Sequence, residues 1–199
     1  MTHSFKPEQA IESYVKSHEL SFRDTFLPGQ IQILAKIAEM IANALKGGHK
    51  ILLCGNGGSA ADAQHIAAEF TGRFRIERRG LPAISLTTDT SAITAIGNDY
   101  SFEQIFARQV EALGQKGDVL IAISTSGNSK NVIGAAKLSK SKGITVIGFT
   151  GKSGGQLKNL VDINFSAAAD SAAFIQEMHI TALHAICDVT DQLLFPQVS

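Results

Sequence analysis

Tryptophan is absent from this chain of 199 residues, which also has only two cysteines, two tyrosines and four prolines. Cys54 and Cys187 are too few to build a disulfide framework, so both are expected to remain thiols. Charge of one sign is not in excess either, since 18 Lys and Arg balance 18 Asp and Glu. That balance gives no reason to expect nucleic acid or an acidic membrane surface as a partner. No apolar run is long enough to cross a bilayer, and the start, Met1 to Glu8, lacks the apolar stretch of a signal peptide. The expected location is therefore the cytoplasm. Two nucleotide signatures are also missing. There is no G-x-G-x-x-G, and no glycine-rich loop ends in Gly-Lys-Ser/Thr.

Hydrophobic residues make up 44% of the chain and charged residues 18%, as in a soluble globular protein of one domain. Residues 1–48 contain no strand-like run. Ile11, Tyr14, Val15, His18 and Leu20, then Ile31, Leu34, Ile37, Ile41 and Leu45, recur at helical spacing. Leu27-Pro28-Gly29 separates two helices and Gly47-Gly48 ends the second, so an N-terminal helical hairpin is expected. Residues 49–199 then alternate short apolar runs with helical stretches. The expected strands are 50–54, 82–87, 118–124, 144–150 and 161–166, rich in Ile, Val and Leu without polar alternation, as in parallel strands covered on both faces. The expected helices are 58–73, 91–113 with a break near Gly97, 128–142, a short turn at 154–160, and a last helix from 171 to 194. The predicted fold is a three-layer αβα sandwich on a five-stranded parallel sheet.

Two loops of small residues stand out. Cys54-Gly-Asn56-Gly57-Gly58-Ser59-Ala and Ser124-Thr125-Ser126-Gly-Asn-Ser129 each follow an expected strand and open an expected helix. Small residues let the backbone approach a ligand, and free N–H groups at a helix start attract anions. The hydroxyls of Ser59, Ser124, Thr125, Ser126 and Ser129 add neutral donors and acceptors. One such loop could simply turn a strand into a capped helix. Two at corresponding places point to a site for a phosphorylated small molecule.

His65 and Glu69 share one face of the helix after the first loop and can hold a divalent metal or orient one another for proton transfer. The last helix carries Gln176, Glu177, His179 and His184 within an otherwise apolar stretch, and buried polar groups need partners. Spacing alone does not choose between Gln176 and Glu177 as the companion of His184, and His184 by itself also reads as a satisfied core histidine. Asn98-Asp99 suits either polar contact to a sugar or an Asx turn. Arg73 can face the same region and pair with an anion, whereas Arg75, Arg78 and Arg79 read as a solvated basic turn. Phe74, Phe102, Phe106 and Phe149 read as core.

Taken together, these segments resemble the phosphoheptose isomerases of the sugar-isomerase (SIS) fold. The resemblance covers about residues 40–195 and is carried by Cys54 to Arg73, Gly80 to Ile84, Asn98-Asp99-Tyr100, Ser124 to Ser129, and Ile175 to Ile180 with His184. It implies a Zn²⁺ held by His65, Glu69, Gln176 and His184, with Glu69 and His184 as the acid–base pair. It also implies a phosphate held by the serine loop, and contacts from Asn56-Gly57-Gly58 and Asn98-Asp99 to a seven-carbon sugar. The reaction implied is aldose–ketose isomerisation of sedoheptulose 7-phosphate for lipopolysaccharide-core heptose. Two positions depart from the family pattern. Ala173 and Phe174 stand where the family has a polar residue followed by Arg. The ending Asp191-Gln-Leu-Leu-Phe-Pro196 is similar to a sister family that binds the bacterial replication initiator. A non-catalytic adaptor and a sugar-phosphate sensor are the rival readings, and the four filled metal-site positions favour the enzyme.

The N-terminal helices are apolar along their length, and Ile175, Ile180, Leu183, Ile186 and Leu193 crowd the last helix. One sheet covers only one stripe of each helix, so the remainder points to a subunit interface. The resemblance implies a homotetramer.

Overall fold

The computed structural model describes residues 5–196, so the first four residues of the polar start, Met1 to Ser4, lie outside the described residues. Helices α1 (Pro7–Thr25) and α2 (Pro28–Lys46) each begin on a proline, whose fixed φ and missing N–H suit a first helical turn. The sheet follows: β1 (Ile51–Cys54), β2 (Ala83–Ser85), β3 (Val119–Ser124), β4 (Thr145–Gly151) and β5 (Ile163–Ala167). All pairings are parallel, in the order β2-β1-β3-β4-β5. The crossovers are α3 (Gly58–Thr71), α4 (Thr90–Asp99) with α5 (Ile105–Leu113), and α6 (Lys130–Ser141); α7 (Ala172–Leu194) closes the chain.

Period-two alternation of the strands builds two cores. Ile51, Leu53, Ile121, Ile123, Ile147 and Phe149 point to α2, α3 and α7. Leu52, Cys54, Leu120, Ala122 and Val146 point to α5 and α6. This is the expected αβα sandwich. Because β1 lies between β2 and β3, the chain winds in opposite senses from the β1/β3 boundary. In such sheets ligands gather in the crevice outside the strand C-termini at that boundary.

The break expected near Gly97 falls just after Asp99, and Asp89 caps the helix before it through the Ala92 N–H at 2.9 Å. Two local expectations change. Phe102 is 62% exposed on the one-turn 3₁₀ helix Phe102–Gln104, so it is not core, unlike the buried Phe106 and Phe149. The apolar residues of the last helix are also divided differently. Leu183 and Ile186 are buried within the subunit, as is Ile37 of α2. The uncovered apolar surface belongs to Ile11, Tyr14, Val15, Leu20 and Phe22 on α1, with Ile31 on α2 and Val189 and Leu193 on α7.

Helix α1 leans on α7. Its Tyr14 ring meets Phe174 edge to face at 4.7 Å between centroids, and Tyr14 Oη and His18 Nε2 reach Glu177 at 3.4 and 3.2 Å. Phe174 is thus an aromatic contact between the last helix and the first.

Candidate active site

The two small-residue loops lie at the C-terminal ends of β1 and β3, which are neighbours in the sheet. Gly55 is required because a Cβ there would fall 2.7 Å from the Ser59 carbonyl oxygen. Gly57 has φ +56°, in the left-handed region that favours glycine. Behind it Ser59 is buried in the first turn of α3. In the second loop Ser124 donates to Ser129 Oγ at 3.0 Å, and Ser126 Oγ accepts the Asn128 N–H at 3.1 Å. Gly127, at φ +66°, lets the loop press against the Gly154 carbonyl. Thr125 and Ser126 stand at the tip, half-buried and exposed.

A residue not singled out in the sequence ties these loops together. Asn56 Nδ2 donates to Asn131 Oδ1 at 2.9 Å, and Asn131 Nδ2 returns the bond to Asn56 Oδ1 at 2.9 Å. The Asn56 side chain is thus engaged across the crevice, leaving its backbone and Gly57-Gly58 facing outward. Asn131 opens α6 as one amide among many polar residues, and only the sheet order places it opposite Asn56.

Helices α3 and α7 run side by side in the same direction, and their contacts form three successive rungs. At the first, Gln176 lies on Gly58, where an added Cβ would stand 2.5 Å from its Nε2. At the second, His184 Nε2 meets His65 Nε2 at 3.1 Å, and His65 Nε2 meets Glu69 Oε1 at 3.1 Å. At the third, Asp191 is reached through Arg78, whose side chain is 1% exposed and so not part of a solvated turn. Its guanidinium lies buried against the end of α3.

The middle rung is a donor cluster. One ligand atom from each of His65, Glu69 and His184 lies within 4.8 Å of the others. Zinc bonds of about 2.0–2.2 Å to N and O require ligand atoms a little over 3 Å apart, so the trio fits a small divalent ion. Phe74 is not simply core, because its ring stacks on His184 with centroids 5.4 Å apart and planes at 16°. Burial, assisted by the neighbouring His65 and opposed by Glu69, holds His184 below the ordinary histidine pKa. One turn before His65, burial raises the Asp62 carboxyl to about 6, with His65 opposing, and its Oδ2 has no hydrogen-bond partner.

Of the two residues that spacing could not separate, Glu177 faces α1 and Gln176 faces α3. The buried core histidine of α7 is His179, whose Nε2–H points at the Thr150 carbonyl oxygen at 3.0 Å while its Nδ1 has no hydrogen-bond partner. Arg73 is exposed on the loop after α3, 3.5 Å from Glu77. Asn98 and Asp99 end α4 in the open, with Asn98 Nδ2 donating to Asp99 Oδ1 at 2.8 Å, and among the described residues their side chains hydrogen-bond to neither loop nor the histidine cluster. Cys54, below the first loop, is buried, which pushes its thiol up to about 12 and makes it unreactive.

The SIS domain family model matches residues 15–151. The phosphoheptose isomerase of Geobacter sulfurreducens is 55% identical over 163 residues, 82% of this chain and 86% of that protein. The chain belongs to the phosphoheptose isomerase family of SIS-domain proteins. The family's enzyme from Aliarcobacter butzleri is 58% identical over 161 residues, 81% of this chain and 85% of its own length. Among solved structures, phosphoheptose isomerase GmhA from Neisseria gonorrhoeae superposes with a TM-score of 0.89 at 42% identity, covering 94% of this chain and all of that one. Membership makes this chain an isomerase, and the crevice between the β1 and β3 loops, flanked by the His65–Glu69–His184 cluster, is its candidate active site.

Proposed function

We propose that the chain interconverts sedoheptulose 7-phosphate and D-glycero-D-manno-heptose 7-phosphate. The observation that carries this reading is the convergence of Glu69 and His184 beside two anion-suited loops at the sheet's switch point. Ser59, Ser124, Thr125, Ser126, Ser129 and the free N–H groups of the loops would hold the phosphate at one end of the open-chain sugar. Anchoring one end brings C1 and C2 toward Glu69, which removes orientational freedom from the reacting carbons.

Glu69 would take the proton from C1 or C2 to give a cis-enediolate and return it to the neighbouring carbon. His184, kept neutral by burial, would move the proton between the two oxygens. Asn56, Gly57 and Gly58 would contact the hydroxyls, with Arg73 closing one side. The donor set of His65, Glu69 and His184, with Gln176 as fourth ligand, suits one Zn²⁺ per subunit. When bound it would supply Lewis-acid stabilisation of the developing oxyanion. Glu69 cannot give its full basicity to metal and substrate at once, so its metal contact would be loose.

Asn98 and Asp99 would reach a sugar only across a subunit boundary. Support for such assembly comes from a groove of about 330 Å³ lined by apolar residues, among them Phe22, Phe26, Ile31 and Val189. A second copy of the chain is its natural cover, and in the homotetramer that the family resemblance implies the sites would lie at subunit boundaries. The product would feed lipopolysaccharide-core heptose synthesis in the cytoplasm. Among the described residues no helix is long and apolar enough to cross a membrane.

The test is incubation of purified protein with sedoheptulose 7-phosphate, following aldose formation with and without chelator and after zinc is restored. Turnover should vanish with chelator and return with zinc. In Glu69→Gln, which keeps the shape without the base, kcat should fall about 10²–10⁴-fold. A fully active Glu69→Gln sinks the mechanism, and a wild type inactive with zinc present moves the reading to the adaptor.

A further inference from the structure

The third rung between α3 and α7 carries an inference that rests on the reading of His65, Glu69 and His184 as the reacting site. Arg78 lies seven residues beyond Thr71, the last residue of α3, and folds back beneath the helix. Its Nη2 donates to the Glu69 carbonyl oxygen at 2.9 Å, and its Nη1 to those of Phe70 and Gly72, each at 2.9 Å, and Arg79 at 3.2 Å. Its Nε donates to Asp191 Oδ1 at 2.7 Å. The ion pair is almost completely buried, Arg78 at 1% and Asp191 at 2% exposure of the side chain.

Two features separate this from an ordinary helix cap. The carbonyls it collects include that of Glu69, the residue assigned as base, so the guanidinium bonds directly to its backbone. Asp191 stands seven residues after His184 on α7, nearly two full turns, and so lies on the same helix face. One planar cation with donors in a fixed fork therefore holds the segment bearing Glu69 and the face bearing His184 at a set separation. A lysine would supply the charge without the fork. We infer that Arg78 is a positioning residue, which with Asp191 sets the register of α3 against α7 and thereby the spacing of His65, Glu69 and His184.

The test compares wild type with R78K and with the double variant R78M/D191L. The double variant removes both charges together, so no lone charge is left buried. The primary readout is the imidazole NMR signals of His65 and His184, which require neither metal nor substrate. Both signals should move in each folded variant. Zinc affinity, from competition with a chelator, should weaken about 10–100-fold, as when a group that orients metal ligands is lost. The kcat for sedoheptulose 7-phosphate should fall about tenfold or more while KM stays within about twofold, because the phosphate loops are untouched.

R75M, which removes the exposed Arg75 beside Asp188, should leave all three readouts as in wild type. Unchanged imidazole signals and zinc affinity in a folded variant overturn the positioning role, whatever happens to thermal stability. If R78M/D191L does not fold, R78K decides by the same readouts. A wild type without turnover or zinc binding overturns the proposed function, and the imidazole signals still decide the role of Arg78.

Discussion

His65 and His184 face each other nitrogen to nitrogen, Nε2 to Nε2 at 3.1 Å. Two neutral rings so placed either share one proton or turn both lone pairs to a common cation, and two protonated rings would repel. Acid therefore acts directly on this pair. Because burial holds His184 below the ordinary histidine value, it stays neutral as pH falls through about 6.5 and protonates only further down. In the zinc-free protein the imidazole of His184 should titrate with its midpoint below that value. NMR of its ring signals against pH checks this, and a midpoint above about 6.5 contradicts it.

The other histidine of α7 governs stability instead. Burial holds His179 at about 4, while the unfolded chain has an ordinary imidazole. Between the two values the unfolded state binds more protons, so stability is complete above about pH 6.5 and is lost as pH falls toward 4. The contribution at stake is on the order of 3 kcal/mol. Urea titrations from pH 7 to 4 should show this slope in wild type and a shallower one in His179→Gln.

Gly58→Ala is a probe of the first rung. The added methyl would stand 2.5 to 2.6 Å from the amide atoms of Gln176, the movable end of a flexible side chain. The fold should tolerate the change within about 1 kcal/mol by turning that amide to another rotamer. Zinc affinity and kcat should fall together if Gln176 is the fourth ligand. Retention of both in a folded Gly58→Ala would remove Gln176 from the ligand set.

Assembly should be broken from α1 and not from the buried core. Phe22 is 42% exposed at the rim of the apolar groove, so Phe22→Asp should leave the subunit folded and shift light scattering toward smaller species. Activity should fall with it if Asn98 and Asp99 act across the boundary. Ile37→Asp or Leu183→Asp, by contrast, would place a charge in the closed core and unfold the chain.

The sheet was legible because five Ile/Val/Leu runs separated by helix-length stretches leave little freedom once parallel pairing is assumed. The two loops were legible because strand, small residues and helix start follow in direct succession. Pair relations across the fold were not. Arg78 looked solvated because its neighbours Arg75 and Arg79 are, and only the return of the loop beneath α3 buries it. Phe174 meets Tyr14 from 160 positions away, which no local pattern encodes. For His179 and His184 the choice of which faces the core depended on the rotation of α7 about its axis. That rotation is fixed by Met178, Ala182 and Leu183 packing inward.

The reciprocal amide pair of Asn56 and Asn131 joins segments that lie 75 residues apart in the chain. Both bonds are neutral and made within the protein, so folding alone ties the two loops together. The loss of loop freedom belongs to folding, and association of a phosphate with the proposed site would not need to supply it again. Calorimetry of substrate-analogue binding should accordingly resemble a rigid receptor, with the heat-capacity change that covered surface alone accounts for and no further contribution from ordering of the chain.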